Sequence, residues 1–181
     1  RILHQRGYSC DVLLLCGKHG LTELAEQELE IAKKAGVRVY GINADGFPGI
    51  AAYNVILDAI FGIGLAREIS EPYKTIIEEI NASDAYVVAA DIPSGIDTDT
   101  GAVLGIAVKA DVTVSFGYGK PGLYLYPGAE YAGRVEVKEI GFVDPANADY
   151  CMFAYDSIDE YPFVPRSADS HKGSYGKVLI I

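Results

Sequence analysis

The sequence predicts an α/β fold in which helices cover a mostly parallel sheet. Apolar runs of strand length recur along the chain, and segments with helical spacing of apolar residues separate them. The last of these runs instead alternates polar and apolar residues. Continuous apolar runs are typical of parallel strands covered on both faces, whereas alternation indicates a strand with one wetter face. We therefore expect a three-layer αβα sandwich with the alternating strand at a sheet edge.

The first half of the chain contains three predicted strands and one predicted helix. Asp11–Cys16 is a continuous apolar run of strand length, and Leu21–Ala35 follows with helical spacing. The apolar positions of this helix are Leu24, Ala25, Ile31, Ala32 and Ala35. Gly36 stands where a C-terminal helix cap is expected. Val37–Ile42 and Asn54–Ile60 are the second and third predicted strands.

The second half begins with a predicted helix. Ser70-Glu71-Pro72 combines a hydroxyl cap, an acid in the first turn and an early proline. The apolar residues that follow at i, i+3, i+4 and i+7 are Tyr73, Ile76, Ile77 and Ile80. Tyr86–Ala90 and Asp111–Phe116 are the fourth and fifth predicted strands, and Arg134–Ile140 is the alternating sixth.

Composition restricts the class of protein. The chain has 181 residues, of which 50% are hydrophobic, and a formal net charge of −10. This suits one folded domain and argues against a nonspecific nucleic-acid binder, which would carry a basic face. The longest apolar runs are much shorter than the roughly 20 residues of a membrane helix, and no signal peptide is visible, so we expect no membrane partner. The odd cysteine count without a C-x-x-C motif favours a reducing cytoplasm, and the dispersed histidines lack zinc spacing.

The pattern changes near the C-terminus. From about Gly141 to Ser170, prolines and polar residues predict a linker, and Gly173–Ile181 then reads as the entry to another unit. Because the chain starts with Arg1 and ends in an apolar run, we interpret it as part of a longer polypeptide. Ser170-His171 has no partner acid at suitable spacing, so we predict no hydrolase triad there.

Two predicted strands run into an aspartate, and each aspartate is followed by a glycine-containing loop. Asp58 precedes Gly62-Ile63-Gly64, and Asp91 precedes Pro93-Ser94-Gly95. Ligands of open parallel sheets bind beyond the carboxyl ends of the strands, and a carboxylate leaving an apolar strand needs a partner. The glycine loop could admit a phosphate, and the oxygens of Asp58 and Ser94 suit a group I or II cation. The pattern therefore predicts a polar ligand site.

Structural alternatives remain open for these residues. Taken singly, Asp58 could bond loop amides and Asp91 could cap a turn. Lys120, in Lys120-Pro121-Gly122, reads as a solvated charge. The tyrosine-rich stretch Tyr118–Tyr131 reads first as core packing, with an interface or pocket wall as the alternative.

These motifs resemble the NAD(P)H-hydrate epimerase family of YjeF N-terminal type. The resemblance rests on the strings Asp58–Leu65, Asp91–Asp97, Phe116-Gly117 with Lys120–Leu123, and Tyr126–Gly133. Ser170–Val178 resembles the opening of an ADP/ATP-dependent NAD(P)H-hydrate dehydratase domain, which bacteria often fuse to the epimerase. The resemblance implies an epimerase domain at 1–143, a linker at 144–169 and the start of the dehydratase domain at 170–181.

The resemblance also implies a fold, an activity and site residues. It implies a Rossmann-like αβα sandwich that interconverts the R and S forms of hydrated NADH or NADPH in cofactor repair, with dehydration of the S form by the fused domain. Asp58 and Ser94 match the family's potassium ligands, and Asp91 matches a substrate-contacting carboxylate that we expect to be the catalytic base. The segment that matches the substrate loop comprises Gly62, Ile63, Gly64, Leu65, Ala66, Arg67 and Glu68. Expected cofactors are K⁺ here and ADP or ATP with Mg²⁺ in the fused domain, and a homodimer or higher homo-oligomer is usual in the family.

The chain also departs from the family's pattern. Ile63 stands where the family usually has Thr. The family's phosphate loop is expected before Arg1, ahead of a helix that ends near Gly7, together with one potassium ligand. Two alternatives remain: a non-catalytic nucleotide- or protein-binding module of the same fold, and a dinucleotide-dependent oxidoreductase. The latter needs G-x-G-x-x-G after the first strand, which Gly17-Lys18-His19-Gly20 does not match.

Overall fold

Two parallel sheets organise the part of the chain that the computed structural model describes, namely residues 1–16, 20–42 and 44–142. Strands β1 (Asp11–Leu14) and β2 (Arg38–Gly41) pair with each other, with Asp11 opposite Arg38. The second sheet has four strands in the order β3 (Val55–Asp58), β4 (Tyr86–Ala90), β5 (Val112–Phe116) and β6 (Arg134–Lys138). Every strand pair within these sheets is parallel, which confirms the predicted α/β class.

One helix precedes β1, and the others separate β1 from β2, β3 from β4 and β5 from β6. They are α1 (Ile2–Gln5), α2 (Glu23–Lys34), α3 (Tyr73–Ala82) and α4 (Gly128–Ala132), with short 3-10 turns at Ile50–Ala52 and Pro121–Leu123. Arg1–Phe142 forms one compact unit. Within the described ranges, no helix is both long enough and apolar enough to cross a membrane.

Both ends of α2 follow local rules. The Oγ1 atom of Thr22 accepts a hydrogen bond from the Ala25 N–H at 3.3 Å, so Thr22 caps the first turn. At the other end Gly36 has φ of 94°, and its N–H donates to the Lys33 carbonyl at 2.9 Å. The Val37 N–H donates to the carbonyl of Ala32 at 3.1 Å. This is a Schellman motif, so the predicted glycine cap is confirmed.

The predicted apolar face of α2 is only partly right. Leu24 and Ile31 are exposed, Leu24 by 69%. The half-buried positions are instead Ala25, Leu29 and Ala32. The inward face of α2 is thus formed by two alanines and Leu29, while Leu24 and Ile31 face solvent.

The start of α3 differs from the predicted hydroxyl cap. Pro72 is the N-cap residue and Ser70 is exposed. The Ser70 carbonyl accepts the N–H groups of the first turn, while the carboxylate of Glu71 accepts from Thr75, 3.3 Å from its N–H and 2.7 Å from its Oγ1. The helix begins too late for the Ser70 hydroxyl to reach its third N–H, so the acid takes that role.

Two apolar clusters hold the unit together. The predicted face of α3 is confirmed: Ile77 and Ile80 are buried against Val87 of β4. Other buried members of this first cluster are Ile50, Ile69 and Val108. The second cluster joins the loop after β4 to the 3-10 turn at 121–123 and to α4, through Ile92, Ile96, Ala107, Leu123 and Ala132. Burial in this second cluster fixes the loops that follow β4 and β5.

The strands differ in how far they are covered. As predicted from its alternation, β6 lies at an edge of the four-stranded sheet formed by the described residues. By contrast, β1 is half-buried rather than covered on both faces. Val55 and Leu57 of β3 are more than 60% exposed, whereas Ile56 between them packs on the first cluster. The predicted linker at 144–169 and the Ser170–Ile181 segment lie outside the described residues.

Replacement of Gly128 by alanine tests the second cluster. A Cβ at this buried position would lie 2.2 Å from the Gly122 carbonyl oxygen, so the backbone must move. We expect Gly128→Ala to lower the free energy of unfolding by about 2–4 kcal/mol, measured by urea denaturation. At Gly41 a Cβ meets no atom within 4 Å, so Gly41→Ala should stay within about 0.5 kcal/mol of the wild type. Equal stability of the two variants would contradict this packing.

Candidate functional site

Asp58 closes β3 as a buried, hydrogen-bonded carboxylate. It is 1% exposed. Its Oδ2 accepts the Ser94 N–H at 2.8 Å, and its Oδ1 accepts the Ser94 hydroxyl at 2.6 Å and the Ile60 N–H at 3.2 Å. Asp58 therefore joins the loop after β3 to the loop after β4.

The hydroxyl of Ser94 also contacts Phe61 in the loop after β3. Its Oγ accepts the Phe61 N–H at 2.9 Å, and the Phe61 carbonyl oxygen lies 3.2 Å from the same atom. A hydroxyl has one proton, and the shorter contact to Asp58 takes it. Carboxylate, hydroxyl and carbonyl oxygens thus lie close together beyond the carboxyl ends of β3 and β4.

The electrostatic environment of Asp58 is unfavourable to its charge. Burial raises the pKa of Asp58, because it removes the carboxylate from water. The hydrogen bonds from Ser94 and Ile60 act in the opposite direction and only partly offset it. Among the described residues no basic side chain forms an ion pair with Asp58, and no three or more His, Cys, Asp and Glu side chains cluster as a metal site.

Asp91 follows β4 in an unusual backbone conformation. Its φ is 72°, a left-handed value found at no other non-glycine residue of the described ranges. Its N–H donates to the Val114 carbonyl at 2.8 Å, and its Oδ1 accepts the Phe116 N–H at 2.9 Å. Strained backbone conformations of this kind cluster at functional sites. The strand end and the neighbouring β5 together set the direction of this carboxylate.

Lys120 is the main partner of Asp91. Its ammonium group contacts Asp91 Oδ1, and donates to Ser115 Oγ at 3.1 Å and to the Phe116 carbonyl at 2.9 Å. The Lys120 side chain is only 14% exposed, so its interpretation as a solvated charge is wrong. Its position just beyond the carboxyl end of β5, next to β4, is the signal that could have placed it beside Asp91.

A cavity lies beside the loop that follows β3. Its volume is about 510 Å³. It is lined by Ile60, Phe61, Gly62, Gly64, Leu65, Ala66 and Arg67. Of the predicted substrate segment, Ile63 and Glu68 do not line it, and Ile63 is 60% exposed.

The glycines of this loop are not explained by packing. A Cβ at Gly62 or Gly64 would meet no atom within 4 Å, and neither residue has a left-handed φ. Gly95 is the contrast, since its φ is 99° and a Cβ there would lie 2.0 Å from the Ile106 carbonyl oxygen. The fold requires glycine at 95, whereas the absence of side chains at 62 and 64 leaves backbone open beside the cavity.

The two strand-end acids play different roles. Asp58 is buried and accepts hydrogen bonds from loop amides, which agrees with the structural alternative given for it above. The Asp91 side chain, by contrast, is 18% exposed. They do not bond to each other, because Asp58 turns to Ser94 and Asp91 turns to Lys120. The two strand-end acids are thus separate groups, connected through the segment 91–94.

The tyrosine-rich stretch is mainly a surface rather than core. Tyr118, Tyr124 and Tyr126 are all more than 40% exposed, and Tyr118 stacks on Phe142 with ring centroids 6.2 Å apart. Only Tyr131 packs against the second cluster. Core packing is therefore the wrong interpretation for most of this stretch.

The chain is similar to proteins of known family. It is 37% identical over 185 residues to a bifunctional NAD(P)H-hydrate repair enzyme, Nnr, of Thermofilum pendens, covering 100% of the chain and 35% of that relative. It is 41% identical over 141 residues to an NAD(P)H-hydrate epimerase of Levilactobacillus brevis, covering 78% of the chain and 64% of that relative. The chain thus spans about a third of the length of the bifunctional relative.

A solved structure and a family model agree on the fold. The crystal structure of the yeast protein ynu0 superposes with a TM-score of 0.65 at 24% identity, covering 88% of the chain and 67% of that protein. The family model for the YjeF-related protein N-terminus matches residues 1–122. The chain therefore belongs to the family of the YjeF-related protein N-terminus.

Proposed function

We propose that this chain is the epimerase part of a nicotinamide-cofactor repair enzyme, which interconverts the R and S forms of hydrated NADH or NADPH. The names of the relatives in Thermofilum pendens and Levilactobacillus brevis support the reaction class. One observation carries the proposal for the site. Oδ1 of Asp91 is held by Phe116 and Lys120, while Oδ2 accepts no hydrogen bond from the part of the chain that the structure describes.

A carboxylate oxygen of this kind fits the reaction. The carbon that changes configuration bears a hydroxyl group and is bonded to a ring nitrogen. Asp91 Oδ2 would accept the hydroxyl proton while the oxygen becomes a carbonyl and the carbon–nitrogen bonding pair passes to the ring nitrogen, which takes the proton from Asp91. On closure the nitrogen attacks the opposite face of the carbonyl and gives up its proton, which returns through Asp91 to the oxygen, so atoms and electrons balance with no other reactant.

The cavity would bind the phosphate-bearing part of the substrate. The protein's net charge of −10 does not attract a diphosphate, so local groups must bind it. The backbone at Gly62 and Gly64 is open to close approach, and Arg67 supplies a cation in the lining. We therefore propose Gly62–Glu68 as the substrate loop, with Arg67 as its charged contact.

Asp58 and Ser94 would hold a potassium ion. The donor set fits, because a buried carboxylate, a hydroxyl and the Phe61 carbonyl supply hard oxygens at one point. Burial raises the pKa of Asp58 and no described basic side chain pairs with it, so its ionised form has no compensating charge within the described residues. Bound K⁺ would supply a compensating positive charge. Asp58 and Ser94 would then hold the two loops in place while Asp91 does the proton transfer.

The setting of the enzyme is also a proposal. Cys10 and Cys16 are free thiols, which suits a reducing cytoplasm. Homo-oligomerisation, and a fused dehydratase that uses ADP or ATP with Mg²⁺, remain predictions from the family resemblance. Relatives named as bifunctional repair enzymes support the fusion.

The Asp91→Asn substitution tests the catalytic base. Asparagine has nearly the same shape but cannot accept the substrate proton, so we expect kcat for hydrate epimerisation to fall about 10²- to 10⁴-fold. The interconversion of R and S hydrates can be followed by chromatography or NMR. Asp84 is exposed, and the matched control Asp84→Asn should keep wild-type activity. Full activity of Asp91→Asn would refute this role. An inactive wild type that binds a hydrated cofactor or a partner protein would favour the non-catalytic module.

Alanine at Gly64 tests the substrate loop. The new Cβ meets no protein atom, so the free energy of unfolding should stay within about 0.5 kcal/mol of the wild type. Close approach of a ligand would be blocked, and we expect KM to rise about tenfold or more with a smaller change in kcat. Gly41→Ala, remote in sequence and equally open, should alter neither quantity. An unchanged KM for both Gly64→Ala and Gly62→Ala would exclude backbone approach here.

Salt and pH together test the cation site. Because the folded-state pKa of Asp58 is raised, its contribution to stability is present at low pH and is lost as pH rises through that pKa. K⁺ binds the ionised carboxylate, so KCl should raise Tm over choline chloride by about 2–4 °C near neutral pH and by less near pH 4. Asp58→Asn should show neither the salt difference nor this component of the pH slope. A KCl effect that survives in Asp58→Asn would place the ion elsewhere.

A further inference from the structure

We infer that Lys120 is a positioning residue for Asp91, which holds one oxygen of this carboxylate and leaves the second oxygen to the substrate, without contacting the substrate itself. This role rests on the proposed epimerase function. It assigns Lys120 to a different task from Arg67, although both are cations near the carboxyl ends of the strands.

The proton count of Lys120 argues for this division. An ammonium group has three N–H donors. Asp91 Oδ1, Ser115 Oγ and the Phe116 carbonyl oxygen provide three acceptors. With all three donors occupied and the side chain 14% exposed, none is left to bind a diphosphate.

The backbone around Lys120 is fixed independently of Asp91. The 3-10 turn at 121–123 carries Leu123, which is 2% exposed in the second cluster. The Gly122 N–H donates to the Thr98 carbonyl at 2.7 Å, and a Cβ at Gly122 would lie 2.2 Å from the Asp97 carbonyl oxygen. Packing of this turn therefore brings the lysine to the aspartate, so the pair is not a chance contact of two flexible side chains.

The geometry at Asp91 gives the pair a directional effect. The Phe116 N–H and the Lys120 ammonium both donate to Oδ1. Two donors on one oxygen hold the carboxylate in a single orientation and leave Oδ2 to the reacting group. The side chains of Asp91 and Lys120 are mostly shielded from water, so their attraction is less screened than that of a surface pair. Removing the Lys120 ammonium leaves Oδ1 with the Phe116 N–H alone, so the carboxylate should lose its fixed orientation while the base itself remains.

The kinetic test separates positioning from substrate binding. We expect Lys120→Met to lower kcat for R/S interconversion about 10- to 100-fold, as for other partners that orient a functional group, while KM changes less than about threefold. Lys120→Arg keeps the charge and should recover part of kcat. In Lys120→Ala, added n-propylammonium replaces the missing atoms and should raise kcat. Lys109 is exposed, and Lys109→Met should leave both constants unchanged.

A double variant distinguishes action through Asp91 from an independent role. If Lys120 acts through Asp91, Lys120→Met should cost less than about twofold in kcat in an Asp91→Asn background. Multiplicative losses in the double variant, or a tenfold rise in KM with unchanged kcat in Lys120→Met, would overturn the inference. So would wild-type kcat in Lys120→Met, while the epimerase function would stand. A wild type with no epimerase activity would overturn the proposed function and this role with it. Tm values confirm that each variant is folded.

Discussion

The hydrogen bonds between Asp58 and Ser94 are the interaction on which the site depends. They join the loops after two adjacent parallel strands through a carboxylate that is 1% exposed. Burial of an ionisable group in this way is costly, and its raised pKa reflects that cost. The segment from Asp91 to Gly95 and the cavity loop from Ile60 onward are held relative to each other by this contact. A buried carboxylate at one strand end thus helps to fix the segment that carries Asp91, the proposed base, at the next strand end.

The two aspartates show how similar sequence positions acquire different chemistry. Both stand at the carboxyl ends of adjacent parallel strands, yet Asp58 is enclosed by the amides of its own and the neighbouring loop. Asp91 has a left-handed backbone and faces Lys120, with a partly exposed side chain. One carboxylate is thereby suited to hold structure or a cation, and the other to exchange a proton. Separation of the two roles means that a variant of one acid need not disturb the other in the same way.

If this acidic chain binds a dinucleotide, as we propose, the positive potential must come from groups close to the ligand. The net charge of −10 opposes an anionic ligand at long range. Exposed backbone at Gly62 and Gly64, with Arg67 in the cavity lining, offers positive potential only at short range. Lys120 follows β5, the strand next to β4, but its three N–H donors are hydrogen-bonded within the protein. In the proposed site, anion binding and the orientation of Asp91 would therefore depend on different cations, Arg67 and Lys120.

The sequence by itself determined the element order, the parallel class of the sheet, the edge position of β6 and the glycine cap of α2, because hydrophobic period and local backbone rules act over a few residues. It also indicated Asp58 and Asp91, since each interrupts an apolar strand. Only the tertiary structure decided that Asp58 is buried against Ser94 and that Lys120 pairs with Asp91. It also decided that most tyrosines of the stretch 118–131 face solvent. The two side-chain contacts join loops that are far apart in sequence: Asp58 and Ser94 are 36 residues apart, and Asp91 and Lys120 are 29 residues apart. Packing of the second cluster creates those contacts, and no local pattern encodes them.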